Sequence, residues 1–156
     1  MKEYWGNIFQ QLDDRLVEIS EESYREGSLT LEKSCIKILG QVSLLVQPDV
    51  ADKLIPFATN DFDALIESKN SICRTQLIEV LGERGLAYDD LSRDIWLPRS
   101  TTYTNIFDGQ KLSVDVLDPI SALVSKAVKA PDKNRLLIGR GIEVFGEPLI
   151  KELEFF

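Results

Sequence analysis

The sequence predicts a mixed α/β (α+β) domain, and three features of it do the predicting. Stretches with apolar residues at helical spacing alternate with apolar runs too short to be helices. Glycine and proline stand at the joins, where neither a helix nor a strand continues easily. Asp108-Gly109 links two β-prone runs, which is the pattern of a short hairpin. At 156 residues the chain has the usual size of one domain, able to bury a core without disulfides or metals.

In chain order, Ile8, Phe9, Leu12, Leu16 and Ile19 share one face of a helix from about Trp5 to Tyr24, with acids on the other face. Residues 1–27 therefore read as an amphipathic N-terminal helix ended by Gly27. Cys35-Ile36-Lys37-Ile38-Leu39 follows as a strand, Gly40 as a tight turn, and Val42 to Val46 as a short helix stopped by Pro48. Residues 49–60 are mixed in character, contain Pro56, and read as a connecting segment that ends at Thr59-Asn60. Asp61 to Ile66 is short and apolar enough for a strand. Ile72, Leu77, Val80 and Leu81 mark a helix from Asn70 to about Glu83, closed by Gly85.

Residues 88–100, which include Trp96 and Pro98, read as a short helix with a loop. Thr101 to Phe107 and Lys111 to Leu117 are the arms of the hairpin. Asp118 is placed to cap a helix whose first residue is Pro119 and which runs to about Ala130. Residues 134–145 and 147–156 supply two further helices, so that 119–156 forms a C-terminal helical part of the same single domain.

Composition narrows the chemistry. No stretch approaches the length of a membrane-spanning apolar helix, and the first residues lack the apolar segment of a signal peptide, so a cytoplasmic protein without a membrane partner is expected. Cys35 and Cys73 match no zinc or redox spacing and read as packed thiols. Histidine is absent, which removes the commonest general base and zinc ligand; chemistry must run on carboxylates, lysines or a hard metal. The net charge of −8 disfavours coating of nucleic acid. That charge is uneven: residues 1–31 hold seven acids, whereas 120–146 hold Lys126, Lys129, Lys133, Arg135 and Arg140 against Asp132 and Glu143.

The residues that stand out chemically are aspartates. In a strand, Asp61 and Asp63 project to one face while Phe62 and Ala64 project to the other. On the second arm of the hairpin, Leu112, Val114 and Val116 form the apolar set and leave Asp115 on the opposite face. If the two strands lie side by side, Asp61, Asp63 and Asp115 converge. Such a group needs a cation, and oxygen-only ligands select Mg²⁺ or Mn²⁺. Gly139-Arg140-Gly141 lacks the ending of a P-loop and the context of a dinucleotide fingerprint.

Leu39-Gly40, Ala58-Thr59-Asn60-Asp61-Phe62-Asp63, and the run from Leu112 through Asp115 to Asp118-Pro119 with Lys126 in the next helix occur in an order that resembles the nucleotidyltransferase superfamily. The resemblance spans residues 33–146 and is to small bacterial nucleotidyltransferase-like proteins related at a distance to AbiEii-type toxins. It implies a small mixed sheet flanked by helices and a metal-dependent transfer of a nucleoside monophosphate from a nucleoside triphosphate. By that likeness Asp61, Asp63 and Asp115 are catalytic and metal-binding, and Gly40, Gln41, Thr59 and Lys126 contact the nucleotide.

The acceptor is left open, and nucleic acid enters only as one of several acceptors. The chain departs from the family pattern at Gln41, where a small residue is usual, and at Phe57, where an arginine is frequent; Lys53 or Arg99 are candidates to replace that charge. The alternative reading is a catalytically inactive interaction protein of this fold, a toxin–antitoxin or defence component whose acidic N-terminal helix meets a basic protein partner.

Overall fold

The computed structural model describes residues 2–28, 30–89 and 94–154. They form helices α1 (Lys2–Arg25), α2 (Gly40–Leu45), α3 (Pro48–Leu54), α4 (Ile72–Gly82), α5 (Pro119–Lys129), α6 (Arg135–Phe145) and α7 (Glu147–Leu153). The strands are β1 (Ser34–Ile38), β2 (Asp61–Glu67), β3 (Ala87–Asp89), β4 (Tyr103–Asp108) and β5 (Leu112–Leu117). They make one sheet in the order β3-β2-β1-β5-β4. β1 is antiparallel to β2 and parallel to β5, β2 is parallel to β3, and β4 is antiparallel to β5. The fold is thus the expected mixed α/β type, an open mixed sheet flanked by helices.

Alternation along the strands sorts the side chains into two faces. Ile36, Ile38, Phe62, Ala64, Leu112, Val114 and Val116 lie on one, covered by Ile8, Leu12 and Leu16 of α1 and by Leu77 and Leu81 of α4. The period-3.6 pattern in α1 and the period-2 pattern in the strands meet here, and this is the main core. A second, smaller core gathers Leu39, Leu44, Leu54, Leu117, Leu123 and Leu149, where α2, α3, α5 and α7 cover one end of the opposite face. No helix among the described residues is long and apolar enough to cross a membrane.

The hairpin is held to α1 by a buried charge. Asp13, only 3% exposed, accepts hydrogen bonds from the Gln110 and Lys111 amides at 3.1 and 2.7 Å. Gly109 lies against that carboxylate, and a Cβ on it would collide with it. The turn is longer than the Asp108-Gly109 pattern suggests, because residues 109–111 all lie between the strands. Asp118 caps α5 as expected, accepting from the Ser121 amide at 2.8 Å, with Pro119 in the first turn.

Two expectations are corrected. Residues 49–60 are not all connector: α3 starts at Pro48, a position where a missing amide costs nothing, with Asp49 favourable in the first turn. In 88–100, read as a short helix with a loop, Tyr88 and Asp89 belong to β3 and residues 95–98 form neither helix nor strand. Residues 90–93 lie outside the described residues. A three-residue strand leaves too little sequence for periodicity to reveal.

Candidate active site

The turn after β1 is where the site begins. Leu39 donates its amide to Asp63 O at 2.8 Å, which extends the β1–β2 ladder and brings Gly40 beside the Asp63 side chain. Gly40 has φ +60, and a Cβ there would collide with the Asp63 carboxylate. Glycine is required at this position twice over, by backbone conformation and by the close approach.

The third carboxylate is one that sequence reasoning missed. β3 pairs with β2 so that Asp89 lies opposite Asp63 and Ala87 opposite Asp61. Residues opposite one another share a face, so Asp61, Asp63 and Asp89 face the same way. The Asp63 and Asp89 carboxyls share a hydrogen bond. Burial first, then the hydrogen bond and charge of Asp89, push Asp63 up to about 6 against the pull of Lys129 and Lys126.

Asp115 does share this face, as the alternation predicts, but the side-by-side arrangement of β2 and β5 does not occur. β1 lies between them, with Lys37 pairing Leu65 on one side and Asp115 on the other. Asp115 and Asp63 are therefore two strands and two residues apart, roughly 10 Å across the sheet and roughly 7 Å along it. Asp115 instead accepts from Asn105 Nδ2 at 3.0 Å and from the Cys35 thiol at 3.6 Å. The aspartates on β2 and β5 were expected to be neighbours because nothing in either strand announces that β1 intervenes.

A cleft of about 430 Å³ opens over the carboxylates. Asp61, Asp63 and Asp89 line it from β2 and β3, Thr59 from the loop before β2, and Gln41 from α2. Lys126, Lys129, Lys133 and Arg140 line it from α5, α6 and the turn between them. Of the residues expected at the site, Gln41, Thr59, Asp61, Asp63 and Lys126 are brought together; Gly40 stands behind Asp63, and Asp115 is elsewhere. Lys53 and Arg99 do not reach the cleft, and the charge they were candidates to supply comes from α5 and α6.

The side chains in the cleft are constrained by one another. Burial holds Lys126 below its ordinary value, with Asp63 opposing that shift and Lys133 and Lys129 adding to it. Thr59 Oγ1 accepts from the Asp61 amide at 3.1 Å and so fixes the entry to β2. Gln41 Nε2 donates to Phe57 O at 2.9 Å. Among the described residues no three acidic or thiol side chains are already drawn close enough together to hold a metal. The donors are nonetheless all oxygen, and the crowding of Asp63 and Asp89 is of the kind a hard cation relieves.

A cleft with carboxylates on one side and lysines on the other can take a polyanion together with a divalent cation. No protein-family model, curated protein sequence or solved structure matches this chain significantly, so the site is read from its own residues.

Proposed function

We propose that the chain is a Mg²⁺- or Mn²⁺-dependent nucleotidyltransferase that moves a nucleoside monophosphate from a nucleoside triphosphate to an acceptor hydroxyl. The observation that carries this reading is one cleft lined by Asp61, Asp63 and Asp89 opposite Lys126, Lys129 and Lys133. Asp61, Asp63 and Asp89 would hold the ion, which supplies charge neutralisation for phosphoryl oxygens when bound. The lysines bind the triphosphate and neutralise the charge that builds on departing pyrophosphate.

The acceptor oxygen forms its bond to the α-phosphorus while the bond from that phosphorus to the pyrophosphate oxygen breaks. The acceptor hydroxyl gives up its proton to water as its bond to phosphorus forms.

The second reading, an interaction protein of this fold without turnover, draws on Gln41, whose amide is tied to the cleft loop. It also draws on the exposed acids Glu18, Glu21 and Glu22 of α1, which suit a basic protein partner. Thermal unfolding with Mn²⁺ and each nucleoside triphosphate separates the two. At about a hundredfold excess over the dissociation constant, the nucleotidyltransferase reading expects a midpoint rise of about 5–10 °C. The double variant Asp61→Ala, Asp63→Ala loses that rise. No shift with any nucleotide refutes the reading and turns the search to a protein partner.

A further inference from the structure

One edge of the cleft takes no part in the chemistry above. Ile55, Phe57 and Leu136 line it while being 63, 78 and 59% exposed. Large apolar side chains gathered in one concavity differ from those scattered singly over a surface, because together they offer a ligand area to bury. The segment that presents two of them is held in an unfavourable conformation. Ile55, at φ +48 and ψ +56, is the one non-glycine residue with positive φ among the described residues. A β-branched side chain resists that region, and such strain persists only where the surroundings enforce it.

Three hydrogen bonds do so. Arg140 Nη1 donates to Leu54 O and Ile55 O at 3.3 and 3.2 Å, and Gln41 Nε2 donates to Phe57 O at 2.9 Å. The backbone that carries a flat apolar ring is thereby fixed beside a lysine-lined cleft. The ligand that matches both parts has an aromatic plane joined to a chain of phosphates.

Resting on the nucleotide reading, we infer that Phe57 is the platform on which the base of the triphosphate stacks, with Ile55 and Leu136 beside it. Gln41 and Arg140 are positioning residues that hold the Ile55–Phe57 strap. The amide nitrogens nearby are engaged with backbone: Gln41 Nε2 with Phe57 O, and Asn134 Nδ2 with Lys126 O and Ala130 O. Recognition by stacking area, with little reading of base edges, ranks purines above pyrimidines and separates members of each class weakly.

The test is calorimetric binding, with Mn²⁺ present, of ATP, UTP and inorganic tripolyphosphate to the wild type and to Phe57→Ala, Phe57→Trp and Gln41→Ala. ATP is expected to bind tighter than tripolyphosphate by roughly tenfold or more, with UTP between them. Phe57→Ala removes that advantage and leaves tripolyphosphate binding unchanged, Phe57→Trp keeps it, and Gln41→Ala reduces it. ATP and tripolyphosphate binding equally well, with no effect of Phe57→Ala, overturns the platform and leaves the triphosphate cleft standing. Loss of both ligands in Phe57→Ala assigns the ring to cleft shape and also overturns stacking. Failure of the wild type to bind either ligand overturns the nucleotide reading and the platform with it.

Discussion

The two faces of the sheet come from the same five strands but are built for different ends. On β2, Phe62 and Ala64 go to the face under α1 and α4, where both are fully buried. Asp61 and Asp63, their immediate neighbours in sequence, go to the face that carries the cleft. One face is a continuous apolar contact that favours folding. The other brings like charges together and partly removes them from water, which opposes folding unless a ligand is bound. The contrast teaches that the cleft face is tolerated because the opposite face supplies the stability, and each side of the comparison can be attacked separately.

The largest effect belongs to the closed face. Phe62 is wholly buried, and Trp5 packs over it at a ring separation of 6.0 Å. Phe62→Ala removes that packing and leaves a cavity, so a loss of about 3–5 kcal/mol is expected in urea unfolding. A loss below about 1 kcal/mol would mean that the sheet does not rely on this core, and the contrast between the faces would fail.

A smaller effect is expected where the faces meet the turn. Gly40→Ala places a methyl group in a left-handed backbone conformation and against the Asp63 carboxylate. A destabilisation of about 1–3 kcal/mol is expected from strain and collision together. Combining it with Asp63→Ala clears the obstruction, so the double variant should lose less than the sum of the two single changes. Strict additivity would show that the collision is avoided by movement of the turn.

The closed face was legible in the sequence and the cleft only in part, for a physical reason. Periodicity reports burial, and burial is regular under α1 and α4: Ile8, Leu12 and Leu16 fall at helical spacing, while Ile36 and Ile38 flank Lys37 and Phe62 lies between Asp61 and Asp63. Asp118-Pro119 likewise announced the start of α5 through local capping chemistry. The cleft depends on which strands are adjacent. Asp89 joins Asp63 through a parallel pairing of three residues, and Asp115 is kept away by the insertion of β1 between β2 and β5. Neither fact has a local signal. The signal that was present for the cationic wall was the excess of Lys126, Lys129, Lys133 and Arg140 over acids in the C-terminal part, of which the nucleotidyltransferase likeness tied only Lys126 to the aspartates.

The smallest expected effect carries the sharpest sign. Asp63 stands at about 6 in the folded chain against an ordinary 3.8, chiefly because it is buried and beside Asp89. The folded state therefore holds more protons than the unfolded state between those two values. Its stability falls as pH rises through that window and then stays level. Asp63→Asn removes the charge that causes the loss. Below about pH 4 the variant should match the wild type; above about pH 6 it should be more stable. Because Asp63 is only half-buried, solvent screening limits the gain to about 1 kcal/mol, or roughly 2–4 °C in midpoint. Adding Mn²⁺ with a nucleoside triphosphate at pH 8 should reverse the order, since the ligands stabilise the wild type and find one carboxylate fewer in the variant. A variant that stays more stable than the wild type with those ligands present would show that crowding at Asp63 serves no binding, and the cleft face would be charged without being functional.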